Sequence, residues 1–347
     1  MSDVREGLGS GLREPAPVTV AIPRPPREGR GGAAGKRLDR SITVGIVNNM
    51  PDGALKATER QFLRLLQSNR GEADLRIRLF YLPEIARGEE ARAHIDRYYA
   101  PLDDLLGAEL DGLVVTGSEP RRSSLEEEAY WPSLSRLVEW ARHNTISTYW
   151  SCLAAHAAVL HLDGVRRLRQ PAKVSGLYDV SCISEHPLLR GAPLALRLPH
   201  SRHNGLSRAE LEQHGYQVLT CSEEVGVDLF VKACPSLFVF AQGHPEYEAD
   251  SLQREYRRDM TRYLAGQTET CPSPPKGCFD DGIEPTLVGI AQQAAASRPI
   301  DVSEHFAPLV RSRPVPDWHA GAMCLFANWI GYVAHAKALA SMSASPS

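Results

Sequence analysis

Cys152 stands where the predicted strand TISTYW and its following Ser151 give way to the alanine-rich LAAHAAVL. A strand ends and a helix begins there with almost no connection, so the thiol faces a helix N-terminus, whose free N–H groups favour thiolate over thiol. Far along the chain, His244 and Glu246 in QGHPEYEAD lie two apart at the end of another predicted strand, so their side chains emerge on one side. Thiol, imidazole and carboxylate are the parts of a nucleophile, its base and the group that orients the base. Glu246 would fix the imidazole tautomer, and His244 would activate Cys152 or take a proton from an incoming nucleophile. Taken singly, Cys152 reads as a buried core thiol and HPE as a surface histidine beside a carboxylate. Their combination favours chemistry.

The elements that must hold these groups alternate. SITVGIVNNMP opens with a buried strand, and a helical period follows from Ala54 to Leu66, with Leu55, Phe62, Leu65 and Leu66 on one side. LRIRLFYLP alternates as a strand, DGLVVTG reads as a buried strand, AYWPSLSRLVEWARHN as an amphipathic helix, and TISTYW as the strand leading into Cys152. Strand and helix in turn predict an α/β fold with a mostly parallel sheet flanked by helices. Ligands of such sheets gather beyond the carboxyl ends of the strands, which singles out NNMPDG, TGSEPRR and the turn at Cys152. YQVLTCS, VGVDLFV and SLFVFAQ read as three further strands, followed by helices near 249–264, 285–297 and 318–341.

Composition sets limits. Residues 1–40, rich in Pro, Gly and Arg, predict a disordered tail; 41–265 form the main domain, and 266–347 a linker with C-terminal helices packing on it. The net charge of −3 gives no global attraction to nucleic acid or to a membrane surface. No apolar run is long enough to cross a bilayer, and no signal core is visible. Seven cysteines without C-x-x-C spacing fit reduced thiols in the cytoplasm better than disulfides or a zinc site, so no metal is expected.

Several stretches in one order resemble the homoserine O-acyltransferase family (homoserine O-succinyltransferase and acetyltransferase), which shares its fold with class I glutamine amidotransferases. They run from Val44 to Asp259: VGIVNNMP, TERQFLRLL, DGLVVTG, AYWPSLSRLVEWARHNTIST, the Cys152 turn, KVSGLYD, PHSRH, GHPEY and EYRRD, with LFANWIGYV beyond them. The resemblance implies a flavodoxin-like layering with a C-terminal helical extension. It also implies an acyl-thioester on Cys152, His244 as general base and Glu246 completing the triad. Lys173 and Ser201 match substrate-contacting positions, and Arg258 matches the ligand of the homoserine carboxylate. Glu255, three residues before Arg258 on one helix face, would take the ammonium. The Leu153 N–H is a candidate oxyanion donor, with a second N–H from the loop after Gly117.

The implied substrates are L-homoserine and an acyl-CoA co-substrate, with no resident cofactor, in cytoplasmic methionine biosynthesis; a homodimer is allowed. The chain departs from the family after TG, where Ser118-Glu119-Pro120-Arg121-Arg122 replaces Ala-Pro. Counting from Thr116-Gly117 to Tyr130-Trp131 places Arg121 where the resemblance locates acyl selectivity, and an arginine there favours succinyl through its carboxylate, with acetyl still open. Three alternatives also stand. One is a glutaminase or amide hydrolase using the same three residues, although Trp150 and Ala154 replace the glycines such enzymes favour. The others are an acyltransferase for serine or another amino alcohol, and a non-catalytic binding protein that keeps the triad.

Overall fold

The computed structural model describes residues 41–67, 73–279 and 318–343, together with Pro285, Leu287 and Gly289. The tail expected over 1–40, most of the helix expected near 285–297 and the greater part of the linker lie outside the described residues.

An eight-stranded sheet runs in the order β3-β2-β1-β4-β5-β12-β11-β8. Its members are β1 (Ser41–Val47), β2 (Asp74–Tyr81), β3 (Tyr99–Pro101), β4 (Gly112–Val115), β5 (Ser147–Ser151), β8 (Gln217–Val218), β11 (Leu229–Ala233) and β12 (Leu237–Ala241). From β3 through β12 the strands are parallel; at one edge β11 runs antiparallel to β12, and β8 antiparallel to β11. The crossovers are helical: α1 (Asp52–Gln67), α2 (Glu89–Tyr98), α3 (Leu102–Leu106), α4 (Trp131–Asn144) and α5 (Leu153–Asp163). The predicted α/β class therefore holds.

Both faces of the sheet's centre are covered, which is why β1, β4 and β12 read as nearly unbroken apolar runs. Ile42, Val44, Ile46, Tyr149 and Val239 point to one core, while Val47, Trp150, Phe238 and Phe240 point to the other. A long C-terminal helix, α8 (His319–Ser343), lays Ala322, Phe326, Trp329, Ile330 and Val333 on the first face, spaced as one stripe of a helix. Trp329 is anchored there, its Nε1 donating to Ser147 Oγ at 2.9 Å. Lys337 reaches Asp111 Oδ2 and the Ser41 carbonyl, both at 2.8 Å, beside the start of β1.

A second, four-stranded sheet was not anticipated. It orders β10-β9-β6-β7, with β6 (Leu168–Cys182) antiparallel to β7 (Ala195–Gly205), and β9 (Thr220–Ser222) and β10 (Gly226–Val227) beyond. YQVLTCS and VGVDLFV, each read as one strand, are in fact divided between the two sheets. Tertiary hydrogen bonds break them at Leu219 and Asp228. Leu219 N donates to Leu229 O at 2.8 Å, and buried Asp228 takes the Thr220 hydroxyl at 2.8 Å. A short α6 (Arg208–Gln213) links the sheets, and α7 (Ser251–Leu264) follows β12.

Candidate active site

Parallel pairing of β5 with β12 sets Ser151 opposite Ala241, so the residues just beyond, Cys152 and Gln242-Gly243-His244, leave the sheet side by side. The Cys152 N–H donates to the Ala241 carbonyl at 2.7 Å, fixing the turn to the neighbouring strand. Cys152 has φ 51° and ψ −110°, and among the described residues it alone has positive φ without being glycine. Such backbone costs about 1–3 kcal/mol and persists only where its surroundings impose it. Here the strand's end on one side and the start of α5 on the other impose it. The thiol is thereby held over the N-terminus of α5, half-buried.

His244 is buried, and its Nδ1 donates to Glu246 Oε1 at 2.8 Å, which leaves the other ring nitrogen for the Cys152 sulfur. Burial works against a charge on this imidazole, but the Glu246 carboxylate and the hydrogen-bonded Cys152 outweigh it and raise the pKa well above the ordinary histidine value. An imidazolium beside the Cys152 sulfur is the state this arrangement favours. Two bonds hold the backbone beneath the ring: His244 N to the Pro199 carbonyl at 2.8 Å, and Gly243 N to Asp228 Oδ1 at 3.0 Å. A Cβ at Gly243 would lie 2.7 Å from that oxygen, so glycine permits the close approach.

Gly117 gives the second close approach. A Cβ there would sit 3.1 Å from the Leu153 nitrogen. Its absence leaves the first N–H of α5 open to an oxygen, as an oxyanion donor must be. The loop that starts at Gly117 is tied down by buried Glu128, whose Oε1 accepts the N–H groups of Arg121 at 2.6 Å and Arg122 at 2.7 Å. The Arg121 side chain is exposed. Glu119 on the same loop meets Arg262 of α7 at 3.0 Å.

The other anticipated residues also come together. Tyr247 stacks on His244, ring centroids 4.3 Å apart and planes at 17°, and its hydroxyl donates to Glu255 Oε1 at 2.5 Å. The Ser201 hydroxyl donates to the other oxygen of Glu255. Lys173 lies 3.7 Å from that carboxylate and 2.7 Å from Asp259 Oδ2. Arg258 Nε donates to Asp259 Oδ1 at 3.0 Å. Burial would raise Asp259, but Lys173 and Arg258 outweigh it and hold the carboxyl below the usual aspartate value. Lys173, Ser201, Glu255 and Arg258 are thus one polar network joined to the triad through Tyr247. Sequence reasoning passed over Tyr247, Asp259 and Asp228. It also passed over Arg202, a buried guanidinium close to Cys152. Tyr247 and Arg202 sit inside GHPEY and PHSRH, but no spacing rule marks them out.

The helix bearing Glu255 and Arg258 is anchored by Glu248. Hydrogen bonds from Arg60 of α1, outweighing burial and helped by Arg254, hold its carboxyl down at about 2. Because the folded value lies below the unfolded one of 4.5, this stabilisation is complete above the unfolded value and is lost as pH falls through the folded one. Glu248→Gln is expected to flatten the fall in stability between pH 4.5 and about 2, measured by chemical denaturation across that range. A mutant whose acid limb matches the parent's would exclude this anchor.

Among the described residues, no helix is long and apolar enough to cross a membrane, and no group of three His, Cys, Asp or Glu could hold a metal ion. All seven cysteines are free thiols. The fold and the site define an α/β protein with a thiol, imidazole and carboxylate gathered at the carboxyl edge of a mostly parallel sheet.

A family model described as homoserine O-succinyltransferase (HTS) matches residues 31–339. A homoserine O-succinyltransferase of Bradyrhizobium japonicum is 47% identical over 305 residues, covering 88% of this chain and 94% of that protein. Its counterpart in Rhodopseudomonas palustris is 46% identical over 292 residues, covering 84% and 88%. The chain belongs to the homoserine O-succinyltransferase family, and is an O-acyltransferase. Among solved structures, a glutamine amido transferase from Methylobacillus flagellatus is similar at TM-score 0.46 and 15% identity, covering 84% of this chain and 95% of that one.

Proposed function

We propose that the protein transfers a succinyl group from succinyl-CoA to the hydroxyl of L-homoserine through a thioester on Cys152, as a step of methionine biosynthesis in the cytoplasm. The observation that carries this reading is the contact through Tyr247. It places a thiol–imidazole pair against a carboxylate–guanidinium network of the kind that holds an α-amino acid.

In the first half-reaction the Cys152 thiolate attacks the thioester carbonyl. The oxyanion takes the Leu153 N–H, the carbon–sulfur bond to coenzyme A breaks, and its thiolate leaves with the proton of His244. In the second, neutral His244 accepts the homoserine hydroxyl proton as the oxygen attacks the acyl carbon, and the Cys152 thiolate departs. Glu246 holds the imidazole throughout. Arg258 takes the homoserine carboxylate, and Glu255, steadied by Ser201 and Lys173, takes the ammonium.

A panel of acyl-CoAs against homoserine and serine, scored by free thiol release, tests the reading. Succinyl-CoA with homoserine should be the best pair. Release of ammonia from glutamine without any CoA-dependent transfer would overturn it.

Arg121 is assigned the succinyl carboxylate. Its backbone is fixed by Glu128 while its side chain is exposed on the loop that begins over Leu153. Arg121→Glu sets like charge beside that carboxylate and is expected to shift the ratio of kcat/KM for succinyl-CoA over acetyl-CoA towards acetyl, by about tenfold. Loss by one common factor for both donors would mean that Arg121 does not read the acyl group.

A further inference from the structure

Beyond Arg121, a group of arginines on the same rim has no part in the chemistry above. Arg122 is exposed on the loop after β4, Arg166 is exposed between α5 and β6, and Arg169 is exposed on β6. Arg167, between the last two, donates from Nη2 to the Ser123 carbonyl at 3.2 Å and so draws the two segments together. Its Nη1 is buried without a hydrogen-bond partner.

Like charges are crowded here. Burial first, and Arg169 also, pull Arg167 below the usual arginine value against the opposing pull of Tyr130 and Glu128. His203 on β7 is lowered by partial burial and then by Arg169 and Lys173, with Asp259 opposing.

Several arginines elsewhere on this surface are paired (Arg60 with Glu248, Arg136 with Asp103, Arg197 with Asp179, Arg208 with Glu212), whereas others among the described residues, such as exposed Arg76 and Arg190, stand singly away from the site. Among the described residues, no carboxylate lies in ion-pair reach of Arg122, Arg166 or Arg169. The nearby Glu128 spends one oxygen on two backbone N–H groups. Arg167 and Arg169 repel one another, and the orphaned buried Arg167 N–H costs free energy, so an anion here would relieve both.

Both segments of the rim lead into the site. The loop starts at Gly117 over the Leu153 nitrogen, and β6 continues from Arg169 to Lys173 in the acceptor network. An anion bound there would therefore be an outer part of a molecule whose reacting end is at Cys152. Planar guanidinium forks match phosphate oxygens two at a time. Several such forks call for several phosphate charges, which neither homoserine nor a succinyl group carries.

We propose that Arg122, Arg166, Arg167 and Arg169 bind the phosphates of the nucleotide end of the donor, an adenosine bearing a 3′-phosphate and a 5′-diphosphate. This rests on the reading that the donor is an acyl-CoA. The pantetheine arm then runs from this rim along the loop to the thiol.

The test compares succinyl-CoA with succinyl-pantetheine, which has the same thioester and no nucleotide, in the parent and in an Arg166→Ala/Arg169→Ala double variant. Both residues are exposed, so the fold should survive, and a thermal melt checks this. The parent should prefer succinyl-CoA, and the variant should shrink that preference in kcat/KM by about tenfold or more. A preference that is unchanged in the variant, or absent in the parent, overturns the proposal.

Should the parent use neither donor, the acyl-CoA reading itself fails. Titration with adenosine 3′,5′-bisphosphate then decides the rim alone. Binding that the double variant weakens about tenfold sustains it as a nucleotide phosphate site, and equal binding overturns it.

Discussion

Parent protein mixed with succinyl-CoA and no acceptor is expected to gain one succinyl mass on the peptide carrying Cys152, and Cys152→Ala to gain none and transfer nothing. The turn at Cys152 adopts a backbone that side chains avoid, φ 51°, in order to hold one sulfur over a helix N-terminus and beside His244. A buried structural thiol would need none of that. Alanine keeps the turn and removes only the nucleophile, so loss of the adduct reads chemistry rather than folding.

His244→Ala should lower turnover by roughly 10²–10⁴-fold, the size of a general-base contribution. An acyl mass found on another residue, or full activity in Cys152→Ala, would end the proposed mechanism.

Arg258→Lys is expected to lower kcat/KM for homoserine by about 10–100-fold while acyl-enzyme formation from succinyl-CoA stays near the parent rate. Hydrogen bonds to charged groups contribute about 1.5–3 kcal/mol, and each 1.4 kcal/mol is about tenfold. Asp259 Oδ1 takes Arg258 Nε at 3.0 Å and Nη2 at 2.9 Å, which orients the guanidinium plane, and the side chain remains 43% exposed and so open to a ligand. Lysine preserves the charge but not the planar fork. Glu255→Gln should show the same division between half-reactions, since Tyr247 and Ser201 fix both carboxylate oxygens. Stopped-flow release of coenzyme A measures the first half-reaction, and steady-state turnover with varied homoserine measures the second. Equal losses in both would make these residues supports of the fold and not the acceptor clamp.

The sequence by itself determined a good deal. ITVGIV, GLVV and LFVFA are apolar on every residue or nearly so, because a parallel sheet covered on both faces offers no exposed side; those strands could be read directly. The position of Cys152 was legible for the same reason: a strand that ends and a helix that begins leave a turn in which little else fits. His244 and Glu246 were found from a two-residue spacing at a strand end, and Lys173, Ser201, Glu255 and Arg258 only through resemblance, since a charged helix face and a polar loop look alike whether or not they bind anything.

What the tertiary structure decided was adjacency. Nothing local says that Ser151 pairs with Ala241, yet that register alone brings the thiol to the imidazole. Nor does YQVLTCS or VGVDLFV carry a sign that it divides between two sheets, because the break is made by the buried Asp228 bonding to Thr220 and Gly243, partners distant in the chain. Tyr247 is hidden for a like reason: an aromatic residue in a loop acquires its role only when His244 lies under its ring and Glu255 beside its hydroxyl. Periodicity reports which face of an element is buried. Long-range hydrogen bonds and side-chain contacts choose what it is buried against, and the chemistry of this protein depends on that choice.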